Sequence, residues 1–255
     1  MHRRTFVSAL SSLGALPLAA ATTEKSTRFY AIHHFNLKYG TQLPHLHEFL
    51  SQSLLPAANR IHPAPKIFLE AQLSAHIPLV TAVYGFSSLE ELWDVHTKAS
   101  QDESVQKGLA ALEAGPDGAF ESLDISIVEA ADYSPELKAE ASASPRLFEL
   151  RVYHSPTWHQ LAALHERFRG PEMKIFHRSG IHPVLYGSTF IGGNIPNLVY
   201  LIPFADLAAR EKAWAAFGAD PDWQKVRAES VAKSGEIVRE IQVTLYRATP
   251  YSPVR

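Results

Sequence analysis

The amino-acid sequence predicts an α+β fold in which one chain contains two consecutive β-α-β-β-α-β units. Two observations lead to this prediction: short motifs recur in the same order about 118 positions apart, and in both halves strand-like alternation is interleaved with helical spacing. The composition agrees with a folded chain, because 255 residues with 46% hydrophobic and 20% charged side chains are enough to bury a substantial core. We therefore expect a globular structure built from a duplicated unit.

The duplication is supported by several matched segments. The segment "DYSP" ending at Pro135 matches "PYSP" ending at Pro253, an offset of 118 positions. "LHEF" at Leu46 matches "LHER" at Leu164 at the same offset. Matches in the same order at a nearly constant offset are hard to obtain by chance, and two copies indicate a tandem pair rather than a solenoid.

The first unit, residues 28–133, begins with an alternating segment and continues with helical spacing. Its predicted elements are a strand at 28–35, a helix at 41–60, strands at 66–73 and 79–86, a second helix, and a strand at 121–128. The stretch from Ser87 to Glu90 has the pattern of a capping box and is predicted to begin the second helix.

The second unit, residues 146–253, repeats this order. Its first strand is predicted in "RLFELRVYH", and apolar residues then recur at helical spacing from Trp158 up to Gly180, a predicted helix C-cap. "IHPVLYGSTF" and "NLVYLIPF" are predicted strands joined by a "GGN" turn. Asp206 and Asp220 are predicted to cap two further helices, and "EIVREIQVTLYR" is predicted to form the last strand.

Each unit has the ferredoxin-like order, whose sheet is covered by helices on one face only. Two such sheets bury their uncovered faces when they press together and form a barrel. The segment 134–145, rich in Ser, Ala and Pro, is predicted to be the linker between the units. We therefore expect an intramolecular pseudo-dimer, and further homodimerisation through the outer surfaces stays open.

Two pairs of histidines occupy equivalent places in the units. His62 and His182 each belong to an Ile-His-Pro motif at the predicted junction of the long helix with the next strand, because proline disfavours helical geometry in the residue before it. A place at a pocket mouth is the alternative for this pair. His47 and His165 lie beside the apolar stripe of the long helices and are predicted at the surface or its boundary.

Residues 1–21 resemble a twin-arginine export signal. The arginines at positions 3 and 4 are followed by a modestly apolar stretch and then by three alanines at 19–21, a small-residue cleavage site. The apolar stretch falls short of the roughly 20 residues that span a bilayer. The sequence thus predicts an exported protein, periplasmic or extracellular, without a membrane span.

The composition limits the chemistry. The formal net charge is −2 and no basic run is interleaved with aromatics, so a nucleic-acid partner is not expected. The chain has no cysteine, which excludes disulfides, thiolate metal sites and a cysteine nucleophile. The 13 histidines show no compact ligand spacing, so neither a metal nor a cofactor is predicted, and haem held by one histidine is the less favoured alternative.

The second unit resembles the NIPSNAP family, within the dimeric α/β-barrel superfamily. The resemblance is carried by "FELRVY", "GIHPVLYGSTFIGG", "NLVYLIPFADLAAREKAWAAFGADPDWQKV" and "PYSP", and covers about residues 146–253. The first unit looks like a diverged relative, with "SQDESVQK" in place of "GADPDWQK". The resemblance implies a dimeric α/β-barrel, here as a pseudo-dimer in one chain. Relatives on this barrel include cofactor-independent monooxygenases and haem-binding enzymes, so the fold alone does not imply one reaction.

Polar side chains that point into the space between the two sheets are the candidate ligand-binding residues. If the apolar faces of the outer strands meet the helices, this set consists of Tyr30, His34, Asp124, Glu149, Arg151, Tyr153, Gln242 and Tyr246. His34 is a candidate proton acceptor near neutral pH, and Arg151 with the tyrosines is a candidate holder of an anionic or phenolic oxygen. A purely structural ion pair between Glu149 and Arg151 is the alternative.

This set predicts the binding of a small, partly aromatic or anionic molecule between the two sheets. The alternative is a cofactor-independent monooxygenase-like enzyme that acts on a small phenolic or quinol substrate. No Gly-rich phosphate loop, nucleophile elbow or HExxH motif is present, so the sequence identifies no catalytic residue.

Overall fold

The computed structural model describes residues 27–139 and 146–255. Within these residues the chain forms a closed barrel of eight strands with the helices on its outside. The α+β class and the duplicated β-α-β-β-α-β order predicted from the sequence are confirmed. The predicted export signal at 1–21 and the part of the predicted linker at 140–145 lie outside the described residues. None of the helices in the described part of the chain combines the length and the apolar character needed to cross a membrane.

The first unit contributes four strands and four α-helices. The strands are β1 (Phe29–Asn36), β2 (Lys66–Leu73), β3 (Leu79–Phe86) and β4 (Ser122–Ala130). The helices are α1 (Gln42–Glu48), α2 (Leu55–Ile61), α3 (Leu89–Gln101) and α4 (Glu103–Glu113). A π-helical segment, Phe49–Leu54, joins α1 to α2, so the long helix predicted at 41–60 is continuous.

The second unit has equivalent elements. Its strands are β5 (Leu147–His154), β6 (Leu185–Ile191), β7 (Asn197–Phe204) and β8 (Glu240–Ala248). Its helices are α5 (Trp158–Arg167), α6 (Met173–Arg178), α7 (Leu207–Ala219) and α8 (Pro221–Ser234). A π-helical segment at Phe168–Glu172, kinked at Gly170, joins α5 to α6.

The strand order around the barrel is β1-β3-β2-β8-β5-β7-β6-β4, and β4 closes it by pairing with β1. All neighbouring strands are antiparallel, so β1 and β5 run in the same direction on opposite sides of the barrel. The units are therefore related by a pseudo-two-fold axis along the barrel. They meet at two seams, β2 with β8 and β4 with β6.

Apolar side chains fill most of the barrel interior. The buried residues that pack there include Ile32, Ile67, Leu69, Val83, Phe148, Leu150, Leu185, Val199 and Leu201. Two further cores lie between the outer face of the barrel and the helices, one in each unit. The strands are therefore buried on both faces, which explains why a segment such as "LVTAVYGF" of β3 has no exposed residue.

The predicted sidedness of β5 is wrong. Phe148 and Leu150 belong to the core inside the barrel, whereas Tyr153 belongs to the core beneath the helices of the second unit. Glu149 and Arg151 have the same parity as Tyr153 and therefore point away from the interior. The physical reason is that the closed barrel buries an apolar face inside, so an apolar face does not identify the side that meets the helices.

The matched "YSP" motifs fasten each unit to the other one. We call the segments 131–134 and 249–252 the crossed tails. The hydroxyl of Tyr133, after β4, lies 2.8 Å from Nδ1 of His165 in α5, and the hydroxyl of Tyr251, after β8, lies 2.8 Å from Nδ1 of His47 in α1. The serine that follows each tyrosine accepts a hydrogen bond of 3.0 Å from a backbone N–H of β6 or β2, in the other unit.

Local helix signals were predicted well, with one shift. Asp206 and Asp220 are the N-caps of α7 and α8 and accept hydrogen bonds from backbone N–H groups of the first turn. The N-cap of α3 is Ser88 rather than Ser87: Ser88 Oγ accepts from the N–H of Glu91 at 3.0 Å, and the Glu91 carboxylate accepts from the N–H of Ser87 at 2.6 Å. The capping box therefore begins one residue later than predicted.

Candidate functional site

A recess of about 260 Å³ opens at one end of the barrel, where β1 ends and β4 and β8 begin. Its polar lining consists of His34, Asn36, Ser74, His76, Asp124, Gln242, Thr244 and Tyr246. Its apolar lining consists mainly of Leu79, Leu150 and Val152, which continue into the filled interior. We call this feature the mouth recess.

The mouth recess contains half of the residues predicted from the sequence. His34, Asp124, Gln242 and Tyr246 line it together, although they come from three strands in two units. Tyr30 faces the interior as predicted but is fully buried in the packed core, and it does not line the recess. Burial raises the pKa of the Tyr30 hydroxyl to about 12.

A row of hydrogen bonds fixes the imidazole of His34. Nδ1 of His34 lies 2.9 Å from Oγ1 of Thr81, and that hydroxyl donates to the hydroxyl of Tyr246 at 3.1 Å. Since the proton of Thr81 is directed to Tyr246, Nδ1 of His34 is the donor to Thr81 and Nε2 keeps its lone pair. Burial lowers the pKa of His34 and the nearby Asp124 opposes this shift, so the ring is neutral at pH 7.

The other polar groups give the mouth recess an acceptor-rich rim. Nδ2 of Asn36 donates to Asp124 at 2.6 Å, and Nε2 of Gln242 donates to Glu240 at 2.8 Å. Nε2 of His76 lies 2.7 Å from a backbone carbonyl and holds the loop after β2 beside the recess. Among the described residues that line the recess there is no arginine or lysine, so the recess offers a ligand no guanidinium or ammonium group.

The three remaining predicted site residues belong to a separate network under the helices. The carboxylate of Glu149 is fully buried and accepts hydrogen bonds from Arg151 at 2.6 Å, from Arg210 of α7 at 2.7 Å and from Nε1 of Trp214 at 2.9 Å. The guanidinium of Arg151 stacks over the ring of Trp214 at 4.2 Å and near the ring of Tyr153 at 5.4 Å. This geometry agrees with the alternative of a structural ion pair.

Sequence reasoning missed Asn36, Ser74 and His76, which line the mouth recess, and Thr81, whose hydroxyl contacts the His34 ring. Thr81 could not be found from the pattern, because it lies within a strand that is apolar on both sides of it. The sidedness of β5, however, was available from the repeat. The offset of 118 pairs Tyr30 with Phe148, so the predictions made for the two units could not both be right.

The two histidines of the Ile-His-Pro motifs have structural contacts. His62 follows α2, as predicted for a junction, stacks on Phe86 at 5.0 Å, and lies 2.7 Å through Nε2 from a backbone carbonyl of β3. His182 lies just before β6 and stacks on His177 at 5.2 Å. Within residues 27–139 and 146–255, no three His, Asp or Glu side chains converge as a metal-ligand set.

Comparisons with known proteins agree with the fold. Residues 148–253 match the model of the NIPSNAP family. A search of curated proteins finds no significant match. A candidate monooxygenase from Lactobacillus acidophilus superposes on 87% of this chain over 94% of its own, with a TM-score of 0.55 and 8% identity. An anthrone oxidase-like protein superposes on 88% of this chain over 92% of its own, with a TM-score of 0.54 and 12% identity.

A solved NIPSNAP protein matches part of the chain. A NIPSNAP family protein of unknown function from Agrobacterium tumefaciens covers 45% of this chain over 97% of its own length, with 19% identity and a TM-score of 0.39. The two full-length likenesses are both below 25% identity, so they show that this chain shares the barrel fold and nothing about its chemistry.

Proposed function

We propose that this chain, which carries a NIPSNAP domain at residues 148–253, binds a small uncharged ring compound with a hydroxyl group in the mouth recess. The observation that carries the proposal is the hydrogen-bonded row from His34 through Thr81 to Tyr246. This row leaves Nε2 of a neutral imidazole as an acceptor beside an apolar wall. A phenol has the matching groups, a hydroxyl donor and an apolar ring.

The size and charge of the mouth recess narrow the ligand class. A volume of about 260 Å³ is slightly below the roughly 300–1,000 Å³ of ordinary ligand pockets, so it suits a single ring. Asp124 contributes a negative charge, and Arg151, the cation expected to hold an anion, points away from the interior. The proposal therefore replaces the expected anionic ligand with a neutral one.

Phenol and its methyl ether, anisole, test the proposal by titration calorimetry on the protein. Phenol is expected to bind more tightly than anisole by about three- to tenfold, the range of one neutral hydrogen bond. His34→Val, which introduces the residue found at the equivalent position 152, should weaken phenol binding by a similar factor. His159→Val, at an exposed histidine on α5, is the matched control and should leave the affinity unchanged.

Two results would contradict this proposal. Equal affinities for phenol and anisole would show that the protein does not recognise the hydroxyl group. If His34→Val is folded, as judged by a far-ultraviolet circular dichroism spectrum like that of the parent protein, and still binds phenol with unchanged affinity, then phenol does not bind at His34 in the mouth recess.

A second candidate activity is favoured by the lone pair on Nε2 of His34. A neutral imidazole beside the ring hydroxyl is placed to take the proton of a quinol, and the resulting anion is the electron-rich form that reacts with dioxygen. Oxygen consumption with hydroquinone, measured against protein-free buffer and against His34→Val, tests this activity. If His34→Val consumes oxygen as fast as the parent protein, His34 does not take part in the oxidation, and only the binding proposal stands.

Export is a further part of the proposal and is supported by the sequence alone. Replacing the arginines at positions 3 and 4 with lysine should move the protein from the periplasmic or secreted fraction to the cytoplasmic fraction of the expressing cell. An unchanged distribution would contradict the twin-arginine route.

A further inference from the structure

A second cleft, of about 660 Å³, lies outside the barrel wall in the NIPSNAP half, beside α8 and the strands β5 and β8. Trp223 of α8 and Ile241 of β8 contribute apolar surface, and Tyr153 of β5 closes its inner side. Gln242, the residue after Ile241, lines the mouth recess. The wall of the barrel therefore separates the two sites, and we call the second one the outer cleft.

Five charged residues line the outer cleft: Arg167, Arg227, Arg239, Glu172 and Glu236. Nε of Arg167 lies 2.7 Å from the buried carboxyl of Glu172, so these two form a pair. Within the described part of the chain, the exposed side chains of Arg227 and Arg239 have no ion-pair partner. The cleft therefore holds two unpaired guanidinium groups against one exposed carboxylate.

The first unit shows that the fold does not require this cationic lining. The residues 118 positions before Arg167, Glu172, Trp223, Arg227 and Arg239 are Phe49, Leu54, Val105, Leu109 and Glu121. Four of these five are apolar and one is an acid, yet the same helices and strands form around them. The first unit forms the same elements without these charges, so this fold does not depend on them, and the two unpaired arginines are available to a ligand.

We propose that the outer cleft is a second binding site, for a small carboxylate that carries an apolar ring or chain. A guanidinium group forms paired, charge-assisted hydrogen bonds with a carboxylate, and two unpaired ones attract it. The apolar part of the ligand lies against Trp223 and Ile241. The volume of about 660 Å³ lies within the usual range of about 300–1,000 Å³ for such sites.

The inner end of the outer cleft is compatible with a bound anion. Glu172 is fully buried, and burial raises the pKa of its carboxyl to about 7 although Arg167 opposes the shift. The Glu172 carboxyl adds little repulsion, because Arg167 lies 2.7 Å from it and offsets its charge.

The test uses 4-phenylbutyrate and its uncharged amide as probes with the protein. Calorimetric titration should show binding of the acid at least about tenfold tighter than of the amide. Arg227→Leu and Arg239→Gln should each weaken binding of the acid by about three- to tenfold. Lys107→Leu, on the equivalent helix α4 and beside a groove of the first unit, is the matched control and should not change it.

The position of the probe is checked by nuclear magnetic resonance of the tryptophan indole N–H groups. The Trp223 signal, assigned by its loss in Trp223→Phe, should shift most, while the exposed Trp93 and Trp158 should not respond. Absence of binding, equal binding of acid and amide, or an equal loss in Lys107→Leu would each overturn the proposal. Failure here leaves phenol binding at the mouth recess unaffected, because the two sites share no lining residue.

Discussion

Replacing Glu149 with alanine should destabilise the fold strongly, because it leaves buried arginines without their counter-charge. The Glu149 side chain is fully buried, and those of Arg151 and Arg210 are 13% and 17% exposed. Removing one partner of a buried ion pair costs about 3–5 kcal/mol. Arg210 retains an ion pair with Glu211, so the uncompensated charge is mainly that of Arg151. We therefore expect a loss at the lower end of this range, about 3 kcal/mol.

Urea denaturation followed by tryptophan fluorescence and circular dichroism measures this loss as a lower midpoint at an unchanged slope. The double variant Glu149→Ala with Arg151→His introduces the residues at positions 31 and 33 of the first unit, and should recover at least about 1 kcal/mol of the loss. Asp94→Ala, which breaks an exposed ion pair with Lys98, is the control and should cost about 0.5 kcal/mol or less. A Glu149→Ala variant within about 1 kcal/mol of the parent, or a double variant less stable than the single one, would refute the reasoning.

Three further predictions concern pH, the seam and the crossed tails. Burial lowers the pKa of His165 from 6.5 to about 4, so its contribution to stability is present above pH 6.5 and is lost as the pH falls towards 4. The variant His165→Gln should therefore show a smaller fall of the melting temperature between pH 6.5 and pH 4 than the parent protein. An unchanged dependence of melting temperature on pH would contradict this prediction. At the β4–β6 seam, a Cβ on Gly187 would clash with the backbone oxygen of Glu129, so Gly187→Ala should lower the stability measured in urea by about 1–3 kcal/mol, whereas Gly193→Ala, with no atom within 4 Å, should lower it much less. Tyr251→Phe removes the hydroxyl that bonds to His47 and should cost about 1 kcal/mol in urea; no loss would show that the tail is held by packing alone.

The duplicated fold was predictable because its signals are local. Asp220 followed by Pro221 determines the start of α8 through the chemistry of one turn, and in the structure α8 begins at Pro221 with Asp220 as its N-cap. Gly192 and Asn194 have positive φ, as their place in the predicted turn requires. The recurrence of "YSP" was visible too, but its role was not, because each tail contacts the opposite unit and no local pattern carries that information.

The candidate sites were only partly predictable, because they depend on which face of each strand points inwards. His34 was assigned to the correct face, and Arg151 to the wrong one, from the same kind of alternation. In a closed barrel both faces of a strand are buried, so hydrophobicity does not distinguish them. Arg227 and Arg239 of the outer cleft were not predicted at all, since one is exposed on α8 and the other in the segment before β8, and only the packing of α8 brings them together.

The union of two units in one chain also makes the two sides of the barrel mouth chemically different. A barrel assembled from two identical chains would present every mouth residue twice, related by the axis along the barrel. Here the counterpart of His34 is Val152 and that of Asp124 is Gln242. The mouth is therefore asymmetric, with an imidazole on β1 and an isopropyl group at the equivalent place on β5, so the proposed ligand is expected to bind in one orientation and once per chain.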